Sequence, residues 1–217
     1  MIYNFTDEQL RRYARHFSLV ECGFKGQGKI LESKVLIVGA GGLGSPVAFY
    51  LAAAGVGHIG IVDGDNVDLS NLQRQILHTT AEIGTPKIES AQKKLHALNP
   101  HIKITTYPTM LNASNALEIC EPYDVIVDGS DNFATKFLVN DICVLLNKPY
   151  SHGGILRFSG QSMSIEPKVS ACYACVFDTP PDDKNIPNCA TAGVFGSVAG
   201  MLGGIQATEV LKIITGI

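Results

Sequence analysis

The sequence predicts an α/β fold in which a mostly parallel sheet is covered by helices on both faces. Short apolar runs typical of buried strands alternate with helix-forming stretches from Lys34 onward, and this βαβα rhythm builds parallel sheets. A glycine-rich turn joins the first apolar run to the helix that follows it. With 217 residues, 46% of them hydrophobic, the chain can bury a full core. We therefore expect a single domain over residues 1–217.

The first half of the chain supplies three helices and two strands. Thr6 is followed three residues later by Gln9, which is the spacing of a capping box, so an N-terminal helix carrying Arg11, Arg12 and Arg15 is expected. After it come a strand at Val35–Val38, a helix from about Ser45 to Ala54, a strand at His58–Val62, a polar loop from Asp65 to Arg74, and a helix that Pro86 opens and Asn99-Pro100 stops near Leu98.

The second half continues the alternation and then changes character. The pattern predicts a strand at Ile102–Tyr107, a helix near Ala113–Cys120 and a strand at Asp124–Asp128. Beyond Pro149 the residues from Gly153 to Ile165, with Gly160 as the turn, predict a C-terminal antiparallel hairpin. A loop containing a Cys-x-x-Cys pair follows between Glu166 and Asn188.

The glycine turn indicates a nucleotide site. Gly39, Gly41 and Gly44 have GxGxxG spacing between a strand and a helix. In a Rossmann-like fold these glycines allow a tight turn, close approach of backbone N–H groups to phosphate, and close packing of helix on strand. Asp63 ends the second strand, where it would meet the ribose hydroxyls. Strand, helix and acid in register favour this interpretation over a purely structural turn.

Charged side chains in the neighbouring loops indicate which nucleotide is bound. The loops at the carboxyl ends of parallel strands converge on one crevice, so Arg74, Lys87 and Asp131 should meet the glycine turn. Arg74 and Lys87 suit the β- and γ-oxygens of a triphosphate, and Asp131 suits Mg²⁺. A NAD-dependent oxidoreductase is the alternative, although it gives no reason for these residues. Asp131-Asn132 also fits a simple helix cap, and Lys87 a merely exposed position in a first turn.

The sequence resembles the MoeB/ThiF/HesA family, relatives of ubiquitin-activating enzymes. The resemblance covers essentially the whole chain and is carried by Gly39–Gly44, Asp63-Gly64-Asp65, Leu69–Gln75, Thr85-Pro86-Lys87 and Asp128–Asn132. It implies a single ATP-binding adenylation domain that uses ATP and Mg²⁺ to adenylate the C-terminal glycine of a ubiquitin-like sulfur carrier ending in Gly-Gly, with release of pyrophosphate. A non-catalytic homologue that binds the carrier without turnover is the second alternative.

The same resemblance implies the residues of the site. It assigns ATP binding to the glycine turn and to the polar loops, at Gly39, Gly41, Gly42, Gly44, Asp63, Ser70, Asn71, Leu72, Gln73, Arg74, Lys87, Asp131 and Asn132. It also implies a homodimer in which Arg15 of one subunit reaches the triphosphate bound by the other. Without the resemblance, Arg15 would be interpreted as one half of a surface ion pair.

The proposed reaction needs charge neutralisation more than it needs a base. A protein C-terminal carboxylate has a pKa of about 3.3 to 3.7, so it is already a nucleophile at neutral pH. It must, however, approach the α-phosphate of an anion, which requires cations and accurate positioning. The lack of an obvious His–Asp or Ser–His pair in the sequence therefore fits this chemistry.

The six cysteines fall into three sets with separate interpretations. Cys172 and Cys175 have the spacing of half a tetrahedral zinc site, and the second Cys pair of the family's tail is absent before Ile217. Zinc binding therefore stays open, and a redox dithiol competes with it. Cys189 matches a cysteine that in some family members links covalently to the carrier, and it is the leading candidate nucleophile. Cys22, Cys120 and Cys143 are interpreted as buried apolar residues.

Composition argues against several other classes of function. The net charge is −3 without a long basic run, so neither nucleic acid nor an anionic membrane is an expected partner. The N-terminus lacks the pattern of a signal peptide, which predicts a cytoplasmic location and reduced cysteines. The uncharged stretch from Asn185 to Thr208 contains too many glycines and polar residues to span a membrane, and instead predicts a closely packed helix. The residues around Cys189 lean slightly toward the ThiF branch, but the pathway stays open.

Overall fold

A computed structural model describes residues 3–179 and 192–217 of the chain. Its sheet has six strands in the order β3-β2-β1-β4-β5-β6, and every neighbouring pair is parallel except β5 with β6. The strands are β1 (Lys34–Val38), β2 (His58–Val62), β3 (Lys103–Tyr107), β4 (Val125–Asp128), β5 (Tyr150–Leu156) and β6 (Ser159–Ile165). This architecture confirms the predicted α/β class and its antiparallel hairpin.

Helices connect the strands and cover both faces of the sheet. They are α1 (Asp7–Arg12), α2 (Ala14–Phe17), α3 (Gly23–Glu32), α4 (Gly44–Ala54), α5 (Lys87–Leu98), α6 (Ala116–Cys120), α7 (Phe133–Leu146), α8 (Tyr173–Val176) and α9 (Gly196–Thr215), with 3₁₀ turns at Leu69–Asn71 and Thr80–Glu82. The helix predicted near Ala113 starts later, at Ala116, because Asn112 accepts a hydrogen bond from the Ser114 amide and holds the preceding residues in a turn.

Alternate residues of the central strand β1 pack into two separate hydrophobic cores, one on each face of the sheet. Val35 and Ile37 pack with α4, α5 and α9, whereas Leu36 and Val38 pack with α6 and α7. All four side chains are buried, as expected for a parallel strand covered on both sides. Cys22, Cys120 and Cys143 are also buried free thiols, as predicted.

The N-terminal helix begins as predicted but is interrupted. The Gln9 amide donates to Thr6 Oγ1 at 3.2 Å and the Thr6 amide donates to Gln9 Oε1 at 2.9 Å, which is the expected capping box. The helix then breaks at Tyr13, whose side chain turns into the core and is 2% exposed. Tyr13 accepts a hydrogen bond from Asn99 Nδ2 at 3.0 Å. Burial of this ring therefore separates Arg15, on α2, from α1.

The hairpin turn is not at Gly160, so that prediction is wrong. The turn comes earlier, at Arg157, which has a left-handed φ of 57°, and Gly160 lies within β6 opposite Ile155. A Cβ on Gly160 would lie 3.0 Å from Leu202 Cδ2, and one on Gly153 would lie 2.4 Å from Gln206 Oε1. Gly153 and Gly160 are therefore needed because α9 packs directly on the hairpin.

The C-terminal helix α9 packs closely, as the sequence predicts. A Cβ on Gly203 would lie 2.4 Å from Pro46 Cγ of α4, so the two helices approach at this point. Among residues 3–179 and 192–217, no helix has the length and apolar character required to cross a membrane.

Candidate functional site

A cavity of about 760 Å³ opens at the carboxyl ends of β1, β2 and β4. It brings together eight of the residues that the sequence predicts for the site, which are Gly39, Gly41, Gly42, Asp63, Arg74, Lys87, Asp131 and Asn132. Residues of the hairpin and Tyr173 also line the cavity. The loops after three different strands therefore converge as the parallel-sheet argument requires.

The glycine turn has a backbone geometry that glycine adopts readily and other residues do not. Gly39 adopts a φ of 93°, which L side chains rarely reach. A Cβ on Gly44 would lie 1.8 Å from the Gly39 carbonyl oxygen and 3.5 Å from Ile37 Cγ2. Gly44 thus permits α4 to begin directly against strand β1, although it does not itself line the cavity. The turn therefore presents backbone N–H groups at the N-terminal end of a helix.

Asp63 connects the glycine turn to the loop after β2. Its two carboxylate oxygens accept hydrogen bonds from the Ala40 and Asp65 amides, both at 2.8 Å. The residue is 8% exposed and lines the cavity. Because each carboxylate oxygen has a second acceptor site, Asp63 retains the capacity to bind ribose hydroxyls while it holds the turn in place.

The two cations reach the cavity by different routes. Arg74 passes beside the glycine turn, with its Cγ 3.4 Å from the position of a Cβ on Gly42, and its guanidinium donates to the Ser70 carbonyl at 3.1 Å. Lys87 begins α5, and its side chain is 6% exposed. The alternative that Lys87 is merely exposed is therefore wrong. Its Nζ lies 2.9 Å from Asp65 Oδ2, so a carboxylate at the rim holds this buried cation.

Asp131 and Asn132 differ in how they are held. Asn132 caps α7 by accepting a hydrogen bond from the Thr135 amide at 2.8 Å, so the capping interpretation is confirmed for Asn132. Asn132 also lines the cavity. Asp131 is exposed. Within the described ranges its carboxylate has neither a hydrogen-bond nor an ion-pair partner. It is therefore available to a cation or a ligand.

Other predicted site residues lie outside the cavity lining. Ser70, Asn71, Leu72 and Gln73 form a 3₁₀ turn and its continuation beside the cavity. Ser70 Oγ donates to Asp68 at 2.5 Å, and the Gln73 carbonyl packs against Gly196 at the start of α9. Arg15 is exposed on α2 and does not line this cavity. Its role across a dimer stays a prediction.

The thiols of Cys172 and Cys175 lie together, with their sulfur atoms 3.4 Å apart. Burial by itself would raise the pKa of Cys172, but hydrogen bonds from Cys175, Ala174 and Asn140 outweigh it and lower that pKa. The pair sits at the first turn of α8 and not in a plain loop, which is the position that stabilises thiolate and that a redox dithiol favours. The part of the chain that the structure describes holds no group of three or more His, Cys, Asp or Glu side chains able to bind a metal.

Cys189, the candidate nucleophile, lies outside the described residues, as do residues 180–188 of the predicted loop that precedes it. Its covalent role stays a prediction.

A buried ionic cluster adjoins the cavity, and sequence reasoning missed it. Asp128 is fully buried at the end of β4, with Lys136 Nζ 3.2 Å and His152 Nδ1 2.7 Å from Oδ2. Burial would raise the pKa of Asp128, but Lys136, His152 and the Ser130 hydroxyl outweigh it and hold the pKa well below its usual range. A lysine in the mostly apolar α7 and a histidine within a strand were the signals available in the sequence.

Comparison with known proteins then decides the family. The profile of the ThiF family matches residues 13–217. The chain belongs to the ThiF family.

This ThiF-family chain is 47% identical to the sulfur carrier protein adenylyltransferase of Thermus thermophilus, over 98% of the chain and 80% of that relative. It is 46% identical to the SAMP-activating enzyme E1 of Haloferax volcanii, over 99% of the chain and 79% of the relative. It is also 46% identical to the adenylyltransferase and sulfurtransferase MOCS3 of Culex quinquefasciatus, over 99% of the chain. The chain spans only about half the length of that relative, 49%.

Solved structures show the same fold. The structure of E. coli MccB with MccA-N7isoASN matches with a TM-score of 0.85 and 25% identity, over 99% of the ThiF-family chain and 66% of MccB. MccB with AMPCPP and MccA matches with the same TM-score and identity, over 98% of the chain and 65% of MccB.

Proposed function

We propose that this ThiF-family protein is an ATP-dependent adenylyltransferase. It activates the C-terminal glycine carboxylate of a ubiquitin-like sulfur carrier, ThiS-like or MoaD-like, as an acyl-adenylate and releases pyrophosphate. The named relatives support the reaction class, because the T. thermophilus, H. volcanii and C. quinquefasciatus proteins are called an adenylyltransferase, an activating enzyme and an adenylyltransferase respectively. We further propose that residues 1–217 act as one adenylation domain.

The observation that carries this proposal is the convergence of Arg74, Lys87 and Asp131 on the cavity of the glycine turn. Hydride transfer to or from a nicotinamide does not need two cations and a free carboxylate there. A triphosphate does, because its negative charge must be neutralised before a carboxylate approaches the α-phosphate. Together with the family match, this disfavours the NAD-dependent oxidoreductase.

We propose that different residues bind different parts of ATP. The turn at Gly39, Gly41 and Gly42 would hold phosphate oxygens, and Asp63 the ribose. Arg74 and Lys87 would hold the β- and γ-phosphates and stabilise the departing pyrophosphate, while the carrier tail would enter along the sheet past the hairpin. No general base is required, since the incoming carboxylate is already ionised at neutral pH.

Magnesium fits this site through Asp131. The carboxylate is exposed and unpartnered in residues 3–179 and 192–217, and Mg²⁺ prefers one or two carboxylates together with substrate phosphates over a protein cage. When bound, Mg²⁺ would supply further neutralisation of the triphosphate. Asp131 would hold the ion, and Asn132 would fix the start of α7 behind it.

Zinc fits the described residues poorly, because Cys172 and Cys175 supply only two of the four ligands of a structural site. We keep zinc only as a hypothesis that needs ligands from elsewhere. For Cys189 we propose a covalent role after adenylation, so that Cys189→Ala would spare the adenylation step. We also propose a homodimer, with Arg15 reaching the partner subunit's site, and a cytoplasmic location.

The decisive experiment is carrier-dependent exchange of radiolabelled pyrophosphate into ATP. The full chain is incubated with ATP, Mg²⁺ and either a ThiS-like or a MoaD-like carrier ending in Gly-Gly. We expect exchange with one of these carriers. The same carrier without its last glycine is the matched control and should give none. If the protein binds ATP and the carrier but shows no exchange, it is a non-catalytic homologue. If exchange occurs, the carrier that supports it identifies the pathway.

A further inference from the structure

Gln75 follows Arg74 and is held rigidly beside the glycine turn. Its backbone amide donates to the Asn71 carbonyl at 2.9 Å, and its carbonyl accepts from the His78 amide at 3.0 Å. The residue is 5% exposed and lines the cavity. Its side-chain Nε2 lies 3.7 Å from the position that a Cβ on Gly41 would take. The amide is therefore fixed against the second glycine of the turn.

The amide of Gln75 is not satisfied within the protein. Its Oε1 is buried without a hydrogen-bond partner in the part of the chain that the structure describes. Leaving a buried polar group unpaired costs free energy, so native proteins rarely do so without a functional reason. A methionine or leucine would fill the same space at no such cost. The enclosed Oε1 is an acceptor and cannot itself bind a phosphate oxygen, but it shows that the protein does not hold this amide by hydrogen bonds. Nε2 also has no partner among the described residues and, unlike Oε1, is not enclosed, so it is a free donor beside Gly41 and a candidate ligand contact.

We infer that Gln75 is a further phosphate-contacting residue, which donates from Nε2 to an oxygen of the nucleotide's α-phosphate. This inference rests on the proposed function. It places Gln75 at the α-phosphate because Gly41 directly follows Ala40, whose amide is bonded to the ribose candidate Asp63 at 2.8 Å. A neutral amide suits this position, since it adds a donor to the backbone N–H groups without a cation that would compete for the incoming carboxylate.

Nucleotide binding by Gln75→Met tests the inference. The affinities of the full-length protein for AMP and for ATP are measured by calorimetry, and the melting temperature is measured without nucleotide. We expect both nucleotides to bind about tenfold more weakly, as for the loss of one hydrogen bond to a charged group. The melting temperature should stay within about 2 °C of the wild-type value or rise, because an unpaired buried oxygen has been removed. Gln75→Glu should bind both nucleotides still more weakly.

Ser162→Ala is the matched control. Ser162 Oγ is another buried atom without a partner, but it lies on β6 outside the cavity lining, so both affinities should stay at the wild-type value. Unchanged AMP affinity in Gln75→Met overturns the inference, whether or not ATP affinity falls. If Gln75→Met does not fold, retained AMP affinity in Gln75→Glu overturns it equally.

The same measurements separate this inference from the proposed function. Wild-type protein that binds AMP and ATP through Gln75 but shows no exchange with any carrier contradicts the proposed function alone. Wild-type protein that binds neither nucleotide contradicts both.

Discussion

Asp128 and His152 are paired in register on the adjacent parallel strands β4 and β5, and Asp128 Oδ2 lies 2.7 Å from His152 Nδ1. Lys136 of α7 completes the cluster, and its ammonium group also donates to the Ser130 and Gly153 carbonyls at 2.8 and 2.7 Å. The three ammonium protons are thereby satisfied in a buried setting. The cluster joins two strands, a helix and the loop that leads to Asp131, so it supports the geometry of the cavity.

Lys136→Met should therefore destabilise the fold by about 3–5 kcal/mol, because it removes the ammonium group that offsets the charge of the buried Asp128 carboxylate, although His152 and Ser130 remain beside it. The free energy of unfolding in urea measures this effect. Lys93→Met, at an exposed position on α5, should change it by less than about 0.5 kcal/mol. The double variant Asp128→Asn with Lys136→Met should be more stable than Lys136→Met alone, since it removes the isolated charge. A double variant that is still less stable would contradict the electrostatic explanation.

Lys87→Met should reduce the rate of carrier-dependent pyrophosphate exchange about 100-fold or more, as for the loss of one preorganised charge that stabilises the transition state. Its stability should change little, because the partner Asp65 is 52% exposed and stays hydrated. A second variant, Asp65→Asn, tests the role of the ion pair. It frees Lys87 from its only ion pair in the described residues, so ATP should bind as tightly as before or more tightly. A loss of ATP affinity in Asp65→Asn equal to that in Lys87→Met would show that the pair acts as one structural unit.

Local sequence signals were sufficient for the parallel part of the fold and for the glycine turn. Val35–Val38, the GxGxxG spacing and Asp63 are adjacent along the chain, so the strand, turn and acid are specified by short-range patterns. The meeting of Arg74, Lys87 and Asp131 was also predictable, because the carboxyl ends of parallel strands must share one edge.

Long-range packing explains what the sequence did not reveal. Tyr13 interrupts the N-terminal helix because its ring reaches Asn99. Gly160 pairs with Ile155 within the hairpin, at a position where Leu202 of α9 leaves little room for a side chain. Likewise, Asp128, Lys136 and His152 come from three segments whose adjacency depends on the strand order. Such contacts depend on tertiary structure, which overrides local propensity.

Asp131→Ala should abolish pyrophosphate exchange without unfolding the protein. The carboxylate is exposed and has no partner in residues 3–179 and 192–217, so its removal should change the free energy of unfolding by less than about 0.5 kcal/mol. Exchange should be measured over a range of Mg²⁺ concentrations. Glu118→Ala, an exposed carboxylate on α6, should retain full exchange. Full activity of Asp131→Ala at every Mg²⁺ concentration would refute the proposed role in magnesium binding.

Acid should weaken the glycine turn through His78. This buried side chain joins Ser90 of α5 to the turn, with Nδ1 2.9 Å from Ser90 Oγ and Nε2 3.0 Å from the Ala40 carbonyl. Burial, aided by Lys94 and Lys87, lowers the pKa of His78 from 6.5, although the Ala40 carbonyl and Asp63 oppose this change. The folded protein therefore favours the neutral ring, and His78 stabilises the fold fully above pH 6.5.

As the pH falls through 6.5 toward the lowered pKa, His78 becomes protonated in the unfolded chain but stays neutral in the folded chain. The free energy of unfolding therefore decreases over this range. The slope that His78 contributes is at most about 1.4 kcal/mol per pH unit. Urea unfolding at successive pH values should show this slope in the wild-type protein and a shallower one in His78→Gln. His96→Gln, at an exposed position on α5, should keep the wild-type slope. Equal slopes in all three proteins would exclude His78 as the group responsible.

Arg15 is exposed on α2 and lies outside the lining of the cavity, so a role in catalysis requires that it reach the site of a second subunit. Subunits carrying Arg15→Ala and subunits carrying Asp131→Ala should each be inactive alone in pyrophosphate exchange. Co-expressed with two different affinity tags and purified on both, they form mixed dimers. One of the two sites in each dimer then combines an intact Asp131 with an intact Arg15 from its partner, so about half of the wild-type activity should return. If Arg15 serves its own subunit, both sites stay defective and the mixed dimer stays inactive.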